Sequence, residues 1–175
     1  MQYTLKVSDL EITREDLIEL FSTMYNCSFF RCWIPTQFSN LTEGSTYEDK
    51  LADVLLAGKY IKICDFEESF FIENEEFDKM YEDNKQRYCN SLVLPIHGFR
   101  KFSSDWSDEE FYCPVYKITF DRIKTAFEEI ITGNMTGNYS TCVSRSFDNF
   151  ITEYADAVDY ENLVQYIVFG DAIYG

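Results

Sequence analysis

Apolar residues spaced three or four positions apart predict an amphipathic helix over residues 14–25. Five side chains fall on one face of this helix: Leu17, Ile18, Phe21, Met24 and Tyr25. Thr13 and Asp16 have the spacing of a capping box, in which each side chain accepts a hydrogen bond from the backbone of the other residue. The helix is therefore expected to begin directly after Thr13.

The same capping sequence recurs at Thr46 and Asp49 and predicts a second helix that ends at Gly58. Three more helices are predicted, over residues 75–88, over residues 121–131 with Gly133 at the end, and from a cap at Asp159 to Gly170. Each of these segments has apolar side chains at helical spacing, so each is expected to pack one face on a core.

Short strands are predicted at residues 2–6, 60–64, 69–72, 115–119 and 139–144. Residues 69–72 are expected to pair with residues 60–64 as a hairpin, whereas residues 26–45 and 90–114 are expected to be irregular. Helices and strands do not alternate regularly enough to require a parallel sheet. We therefore predict an α+β fold: a single compact domain over residues 1–175, with a small, mainly antiparallel sheet and four to five helices.

The charge of the chain narrows the class of partner. The sequence has 31 Asp and Glu residues against 15 Lys and Arg residues, which gives a net charge of −16 and a pI of about 4.3. Because a surface that binds phosphates needs clustered Lys and Arg, this balance argues against direct binding to nucleic acid or to an anionic membrane. The expected partner is a basic protein surface, such as that of a nucleic-acid-binding enzyme.

Half of the net charge lies in one acidic segment, residues 65–83. The segment has nine acids and one base, a net of 1 − 9 = −8. On the predicted helix over residues 75–88, the carboxylates fall on one face with a spacing of roughly 4.5 to 6 Å. This spacing is comparable with that of phosphates along nucleic acid. The predicted partner-binding acids are Asp65, Glu67, Glu68, Glu73, Glu75, Glu76, Asp78, Glu82 and Asp83.

Two further acidic patches follow along the chain. A predicted loop adds five residues to the predicted partner-binding set: Asp105, Trp106, Asp108, Glu109 and Glu110. Residues 146–175 contain six acids and no Lys or Arg. Trp33 and Tyr112 also lie in predicted loops, where they are expected to be exposed anchors at an interface.

The sequence offers little catalytic or cofactor chemistry. His97 is the only histidine of the chain, which excludes a multi-histidine metal site. Cys27, Cys32, Cys89 and His97 are spaced more widely than the ligands of structural zinc sites. The glycines are scattered singly and form no phosphate-binding loop. We therefore predict a protein that is not an enzyme, with no catalytic residue, metal or cofactor.

The N-terminal sequence MQYTLKVSDLEI lacks the basic start and apolar core of a secretory signal. No apolar run approaches the roughly 18 residues that span a bilayer. The six cysteines are dispersed rather than arranged as a disulfide framework, so they are expected to be reduced. A cytoplasmic protein without membrane contact is expected.

In its size, its charge of −16 and its acidic segment, the chain resembles the phage- and mobile-element-encoded inhibitors that imitate nucleic acid, such as anti-restriction and anti-CRISPR proteins. The resemblance implies a non-enzymatic inhibitor that occupies the DNA or RNA groove of a basic enzyme. Three alternatives stay open from the sequence. The acids serve solubility alone, a small ligand binds in a pocket near His97 and Trp106, or the chain is a structural subunit of an assembly.

Overall fold

The computed structural model describes residues 11–26, 30–41, 46–65, 70–71, 94, 97–103, 110–135 and 137–172. They form five α-helices, α1 (Arg14–Asn26), α2 (Tyr47–Leu56), α3 (Phe120–Thr132), α4 (Ser140–Ile151) and α5 (Ala157–Phe169), and a 3-10 helix at Thr36–Leu41. They also form five strands, β1 (Phe30–Trp33), β2 (Tyr60–Asp65), β3 (Phe70–Phe71), β4 (Phe99–Ser103) and β5 (Glu110–Thr119). All the strand pairs are antiparallel, which confirms the predicted α+β class.

β5 is the central strand because both of its edges are paired. β2 pairs with its C-terminal half, where Tyr60 lies opposite Thr119, and β1 pairs with the outer edge of β2. β4 pairs with the N-terminal half of β5, where Arg100 lies opposite Cys113. The sheet is therefore four strands wide, in the order β1-β2-β5-β4.

β3 shows that the predicted hairpin is wrong. Phe70 and Phe71 pair with Tyr112 and Phe111 of β5, not with β2. β4 occupies the other edge of β5 at these positions. β3 therefore pairs with the same edge of β5 as β2 does, beyond the point where the pairing with β2 ends. The ten residues of β5 are long enough to pair with β2 and β3 in succession, and this long-range pairing replaces the local hairpin.

Two stretches that were expected to be irregular contain strands. Residues 26–45 include β1 and the 3-10 helix, and residues 90–114 include β4 and the first half of β5. β1 and β4 are short and mix apolar with basic residues, so their own sequence gives a weak strand signal. They form because β2 and β5 supply their backbone hydrogen-bond partners.

The predicted strand at residues 139–144 is also wrong, because these residues open α4. Val143, Ser146, Phe147 and Phe150 are buried at the i, i+3, i+4 and i+7 spacing of a helix face. The β-branched and tyrosine residues at the start of this stretch favoured a strand, but the longer helical period decides the structure. The predicted strand at residues 2–6 lies outside the described residues.

The two predicted capping boxes are confirmed. The Thr13 backbone N–H donates to the Asp16 carboxylate (2.7 Å), and the Asp16 N–H donates to the Thr13 hydroxyl (3.2 Å). At α2, the Thr46 N–H donates to the Asp49 carboxylate and the Asp49 N–H donates to the Thr46 hydroxyl, both over 3.1 Å. Local hydrogen bonds thus fix both starts, as their sequences predict.

The predicted ends of the later helices are confirmed, but one predicted start is wrong. Gly133 and Gly170 end α3 and α5 in the left-handed conformation, with φ of 71° and 75°. The N-cap of α5 is Asp156, three residues before the expected cap, and Asp159 is the third helical residue of the same capping box.

The helices cover one face of the sheet. Ile61 and Ile63 of β2 and Tyr116 and Ile118 of β5 are fully buried in one cluster with apolar residues of all five helices. α5 lies at the centre of this cluster, since every residue from 162 to 169 is buried. A helix buried in this way needs partners for its terminal backbone groups.

Arg122 of α3 supplies these partners at the C-terminal end of α5. Its Nε donates to the Ile167 carbonyl (2.9 Å) and its Nη2 donates to the Tyr166 carbonyl (3.1 Å). Its Nη1 lies 3.3 Å from the Glu129 carboxylate, which also accepts a hydrogen bond from the Tyr166 hydroxyl. The guanidinium therefore joins α3 to α5 and meets the negative end of the α5 dipole.

Arg122→Met should lower the free energy of unfolding by about 3 kcal/mol, because it removes the side-chain donor of the buried Ile167 carbonyl, leaves the Tyr166 carbonyl with the Gly170 N–H alone, and breaks the ion pair with Glu129. Lys124→Met on the same helix is the matched control, and it should change the free energy by less than about 0.5 kcal/mol. Urea unfolding followed by circular dichroism measures both. A loss below about 1 kcal/mol for Arg122→Met would show that water or other groups replace the guanidinium.

Candidate functional site

Two of the predicted partner-binding residues lie in the described sheet. Asp65 ends β2 and Glu110 begins β5, at the ends of two paired strands. The other predicted site residues lie outside the described residues, as does the predicted helix over residues 75–88: Glu67, Glu68, Glu73, Glu75, Glu76, Asp78, Glu82, Asp83, Asp105, Trp106, Asp108 and Glu109. The predicted loop anchors Trp33 and Tyr112 lie instead in strands β1 and β5.

The described helices and strands carry charges of opposite sign. The five helices contain twelve acids and five bases, a net of 5 − 12 = −7. The five strands contain five bases and two acids, a net of 5 − 2 = +3. The negative field of the described part is therefore concentrated on its helical side.

The helical side contains a cleft of about 650 Å³, which we call the acidic cleft. The residues before and within α1 form one wall, and Phe127 of α3 with the end of α4 forms the other. Among the described residues ten line it, of which five are acids and none is Lys or Arg: Glu11, Ile12, Thr13, Glu15, Asp16, Glu19, Phe127, Phe150, Ile151 and Glu153. The cleft thus combines an apolar floor with an acidic rim.

The carboxylates of the acidic cleft fall into two groups. Asp16 is held in the α1 capping box, and Glu19 accepts a hydrogen bond from the Tyr160 hydroxyl of α5. Burial and the neighbouring Glu19 raise the pKa of Tyr160, so this hydroxyl stays protonated and keeps donating. Glu11, Glu15 and Glu153 are exposed at the rim, where they can meet a cationic ligand.

Glu153 occupies a strained backbone position. It follows the C-cap of α4 with φ of 61°, and it is the one described non-glycine residue with a positive φ. Glycine is the favoured residue at this place after a helix, because a side chain there costs about 1 kcal/mol. The strain places a carboxylate at the mouth of the acidic cleft, as is typical of functional positions.

Asp159 fixes the junction between α4 and α5, and so the α4 wall of the cleft. Its carboxylate accepts hydrogen bonds from the Asn149 amide (2.8 Å) and from the Asp156 backbone N–H (3.2 Å). Burial acts to raise the pKa of Asp159, but hydrogen bonds from Asn149, Asp156 and Ser146 and the charge of Arg145 outweigh it. The pKa of Asp159 is therefore below its usual value of 3.8.

Metal and nucleophile chemistry is sparse in the described part of the chain. No group of three or more His, Cys, Asp or Glu side chains that could hold a metal ion occurs among the described residues. Burial and the nearby Cys64 raise the pKa of the Cys32 thiol, so this thiol stays protonated. The carboxylates of the acidic cleft therefore suit an extended cation with several positive or apolar parts better than a single metal ion.

Sequence reasoning did not identify the acidic cleft. One part of the acidic rim is visible in the sequence, since Glu15 and Glu19 lie one turn apart on a helix whose start was predicted. The opposite wall comes from residues more than 100 positions away, which no local pattern connects to α1. The pocket expected near His97 and Trp106 is a different place: His97 lies beside the sheet and does not line this cleft.

Glu153→Gly should raise the free energy of unfolding by about 1 kcal/mol, because glycine adopts a positive φ without strain. Thermal unfolding at pH 7 measures the change. Glu153→Gln, which keeps the strain and removes the charge, is the control and should leave the melting temperature nearly unchanged. Equal stability of the glycine variant and the parent would contradict the strain assigned to Glu153.

Asp159→Asn should lower the free energy of unfolding at pH 7 by about 1 kcal/mol. A carboxyl group whose pKa is lowered by folding stabilises the protein above its unfolded pKa, and the stabilisation is lost as the pH falls through the folded pKa. The difference between variant and parent should therefore shrink below about pH 4. Urea unfolding from pH 3 to 7 checks this, with the exposed Asp148→Asn as control; a difference that does not depend on pH would refute it.

Comparison with protein-family models, with curated proteins and with solved structures finds no match. Within the described ranges, no helix is long and apolar enough to cross a membrane. The charge distribution and the acidic cleft of this chain are therefore the basis on which its function is proposed.

Proposed function

We propose that this chain is a non-enzymatic, cytoplasmic binding protein that inhibits a basic nucleic-acid-handling protein by occupying its DNA or RNA groove. The observation that supports this most is the concentration of carboxylates without bases. The whole chain has a charge of −16, and its acidic segment alone has −8. In the described part, half of the ten residues that line the acidic cleft are acids.

The acidic cleft has the composition that a lysine or arginine side chain of such a partner requires. The charged head of that side chain meets the rim carboxylates Glu11, Glu15 and Glu153 through charge-assisted hydrogen bonds. Its aliphatic stem packs on the floor formed by Ile12 and Phe150. The acidic segment then presents its carboxylates to the phosphate-binding residues of the groove. The negative electrostatic field of the whole chain raises the rate of association with the basic partner.

The strain at Glu153 adds independent support. Solubility requires negative charge somewhere on the surface, but not at a position where glycine is more stable by about 1 kcal/mol. A carboxylate at this position is more readily explained by a contact with a positive group than by solvation alone. The same argument applies to the five acids, without a Lys or Arg, among the described residues that line the cleft.

The volume of the acidic cleft also favours a second candidate, a binding domain for a small organic cation. A volume of about 650 Å³ lies within the range of small-molecule sites, and the cleft combines four apolar lining residues with acids that suit a cation. Such a ligand would bind in the described cleft without the acidic segment. Calorimetric titration with spermidine separates this function from groove blocking, because only the second candidate predicts saturable one-to-one binding at physiological salt.

The proposed inhibitor should retain a basic nucleic-acid enzyme from a bacterial lysate and release it as the salt concentration rises. The purified partner should also be displaced by a DNA or RNA oligonucleotide that it binds. Glu75→Lys, Asp78→Lys and Glu82→Lys together change the net charge to −16 + 6 = −10 and should weaken binding of the purified partner at least tenfold.

A second variant and its control test the acidic cleft. Glu11→Gln, Glu15→Gln and Glu153→Gln together give a charge of −16 + 3 = −13, and should also weaken binding at least tenfold. The control, Thr125→Lys with Asp148→Lys, has the same charge, −16 + 1 + 2 = −13, on exposed positions outside the cleft. It should weaken binding less than twofold. If folded variants of the acidic segment keep full affinity, or if the oligonucleotide does not displace the partner, groove blocking is wrong.

A further inference from the structure

The sheet has a second face, which points away from the helix-packed core. Along β2 and β5, residues alternate between the two faces, so Lys62 and Lys117 lie on the side opposite Ile63 and Ile118. Cys64, Cys113 and Val115 form a small separate buried cluster on this second face, covered in part by Trp33 and Phe102. The second face is therefore a packed surface with its own side-chain layer.

Two lysines lie directly opposite each other on this face. Lys62 of β2 and Lys117 of β5 are register partners, and Trp33 of β1 is the partner of Lys62 on the other side. Like charges at directly opposed positions of a sheet are destabilising. Neither lysine has an ion-pair partner among the described residues. No carboxylate offsets this repulsion within the described part, and the Tyr60 ring under the Lys117 ammonium offsets it only in part.

Aromatic rings and cations alternate around this lysine pair. The Arg100 guanidinium lies over the Trp33 ring at 4.5 Å from its centroid, and the Lys117 ammonium lies over the Tyr60 ring at 4.7 Å. Arg100 is on β4 and Trp33 is on β1, at opposite edges of the sheet, so their contact shows that the sheet curls over this face. His97 lies close enough for Lys117 and Lys62, after burial, to lower its pKa.

We propose that this basic face, formed by Trp33, Tyr60, Lys62, His97, Arg100 and Lys117, binds a short stretch of single-stranded nucleic acid. Two lysines and an arginine supply phosphate contacts, and unpaired bases stack on the Trp33 and Tyr60 rings in place of the cations that cover them in the free protein. The inference is independent of the proposed function, which uses the carboxylates of the acidic segment and of the acidic cleft.

The curvature and chemistry of the basic face favour this ligand. Because the sheet curls, the Arg100 guanidinium reaches the Trp33 ring, and Trp33 is the register partner of Lys62, so the three cations surround one small patch. Such a patch suits a short, flexible strand that carries a few phosphates. A duplex hides its bases from aromatic rings, and an acidic peptide uses the cations without the rings. The net charge of −16 disfavours the binding of a polyanion to the molecule as a whole. The strands, however, have a net charge of +3, which favours such binding at this face.

Fluorescence anisotropy of the full chain with a labelled eight-nucleotide oligo-dT tests the proposal between 50 and 200 mM salt. Three phosphate contacts predict a slope of log K against log salt of about −2. Lys62→Gln with Lys117→Gln should weaken binding at least tenfold and reduce the magnitude of the slope by about 1.4. This variant removes both the like-charge repulsion and the contact of Lys117 with the Tyr60 ring; these effects oppose each other, so the variant should stay folded, which its circular dichroism spectrum checks.

Lys50→Gln with Lys124→Gln is the matched control, because it removes the same charge from helices α2 and α3. It should change the affinity less than twofold. An independent measurement uses His97, whose ring resonances are unambiguous because the chain has no other histidine. These resonances should shift in proportion to saturation with unlabelled oligo-dT.

Three outcomes would overturn the proposal. One is the absence of saturable oligo-dT binding at 50 mM salt together with unmoved His97 resonances. Another is an equal loss of affinity in the control variant, which would indicate only a change in net charge. The third is an octaglutamate peptide that competes as strongly as oligo-dT and depends equally on Lys62 and Lys117; it would assign the face to an acidic protein segment.

Discussion

The burial of α5 is the constraint on which the rest of the described structure depends. Residues 162–169 of α5 are all buried, so the C=O groups at the end of this helix need partners other than water. At its start, Asp156 and Asp159 form a capping box that also receives the Asn149 amide of α4. At its end, the Arg122 guanidinium of α3 donates to two of its last carbonyls. The positions of α3 and α4 thus follow from the polar requirements of α5.

The same requirement shapes the acidic cleft. Tyr160 near the start of α5 donates to Glu19 of α1, which links α1 to the buried helix. The α4–α5 junction held by Asp159 fixes the turn at Glu153. Both walls of the cleft are therefore anchored to α5, and its rim carboxylates occupy defined positions rather than a freely moving surface. A defined arrangement of charges is what distinguishes a binding surface from one that only confers solubility.

Opposite charges on the two sides of the fold have a simple structural origin. Strand residues alternate in direction, so β2 and β5 bury Ile61, Ile63, Tyr116 and Ile118 against the helices while their basic residues point the other way. The helices expose their outer faces, where most of the described acids lie. Within the described part, the helices and the strands therefore differ in the sign of their net charge, −7 against +3. The net charge of a chain therefore does not give the charge of an individual surface.

The sequence by itself determined those features that depend on neighbours along the chain. The capping boxes at Thr13 and Thr46, the glycine ends of α3 and α5, the α+β class and the large negative charge all follow from patterns within a few residues. Tertiary structure alone decided the course of β1, β3 and β4, because short strands form where a partner strand supplies hydrogen bonds. It also decided the acidic cleft and the basic face, since each joins side chains from distant parts of the chain. Local periodicity specifies which face of an element is apolar, but only packing specifies which elements then meet.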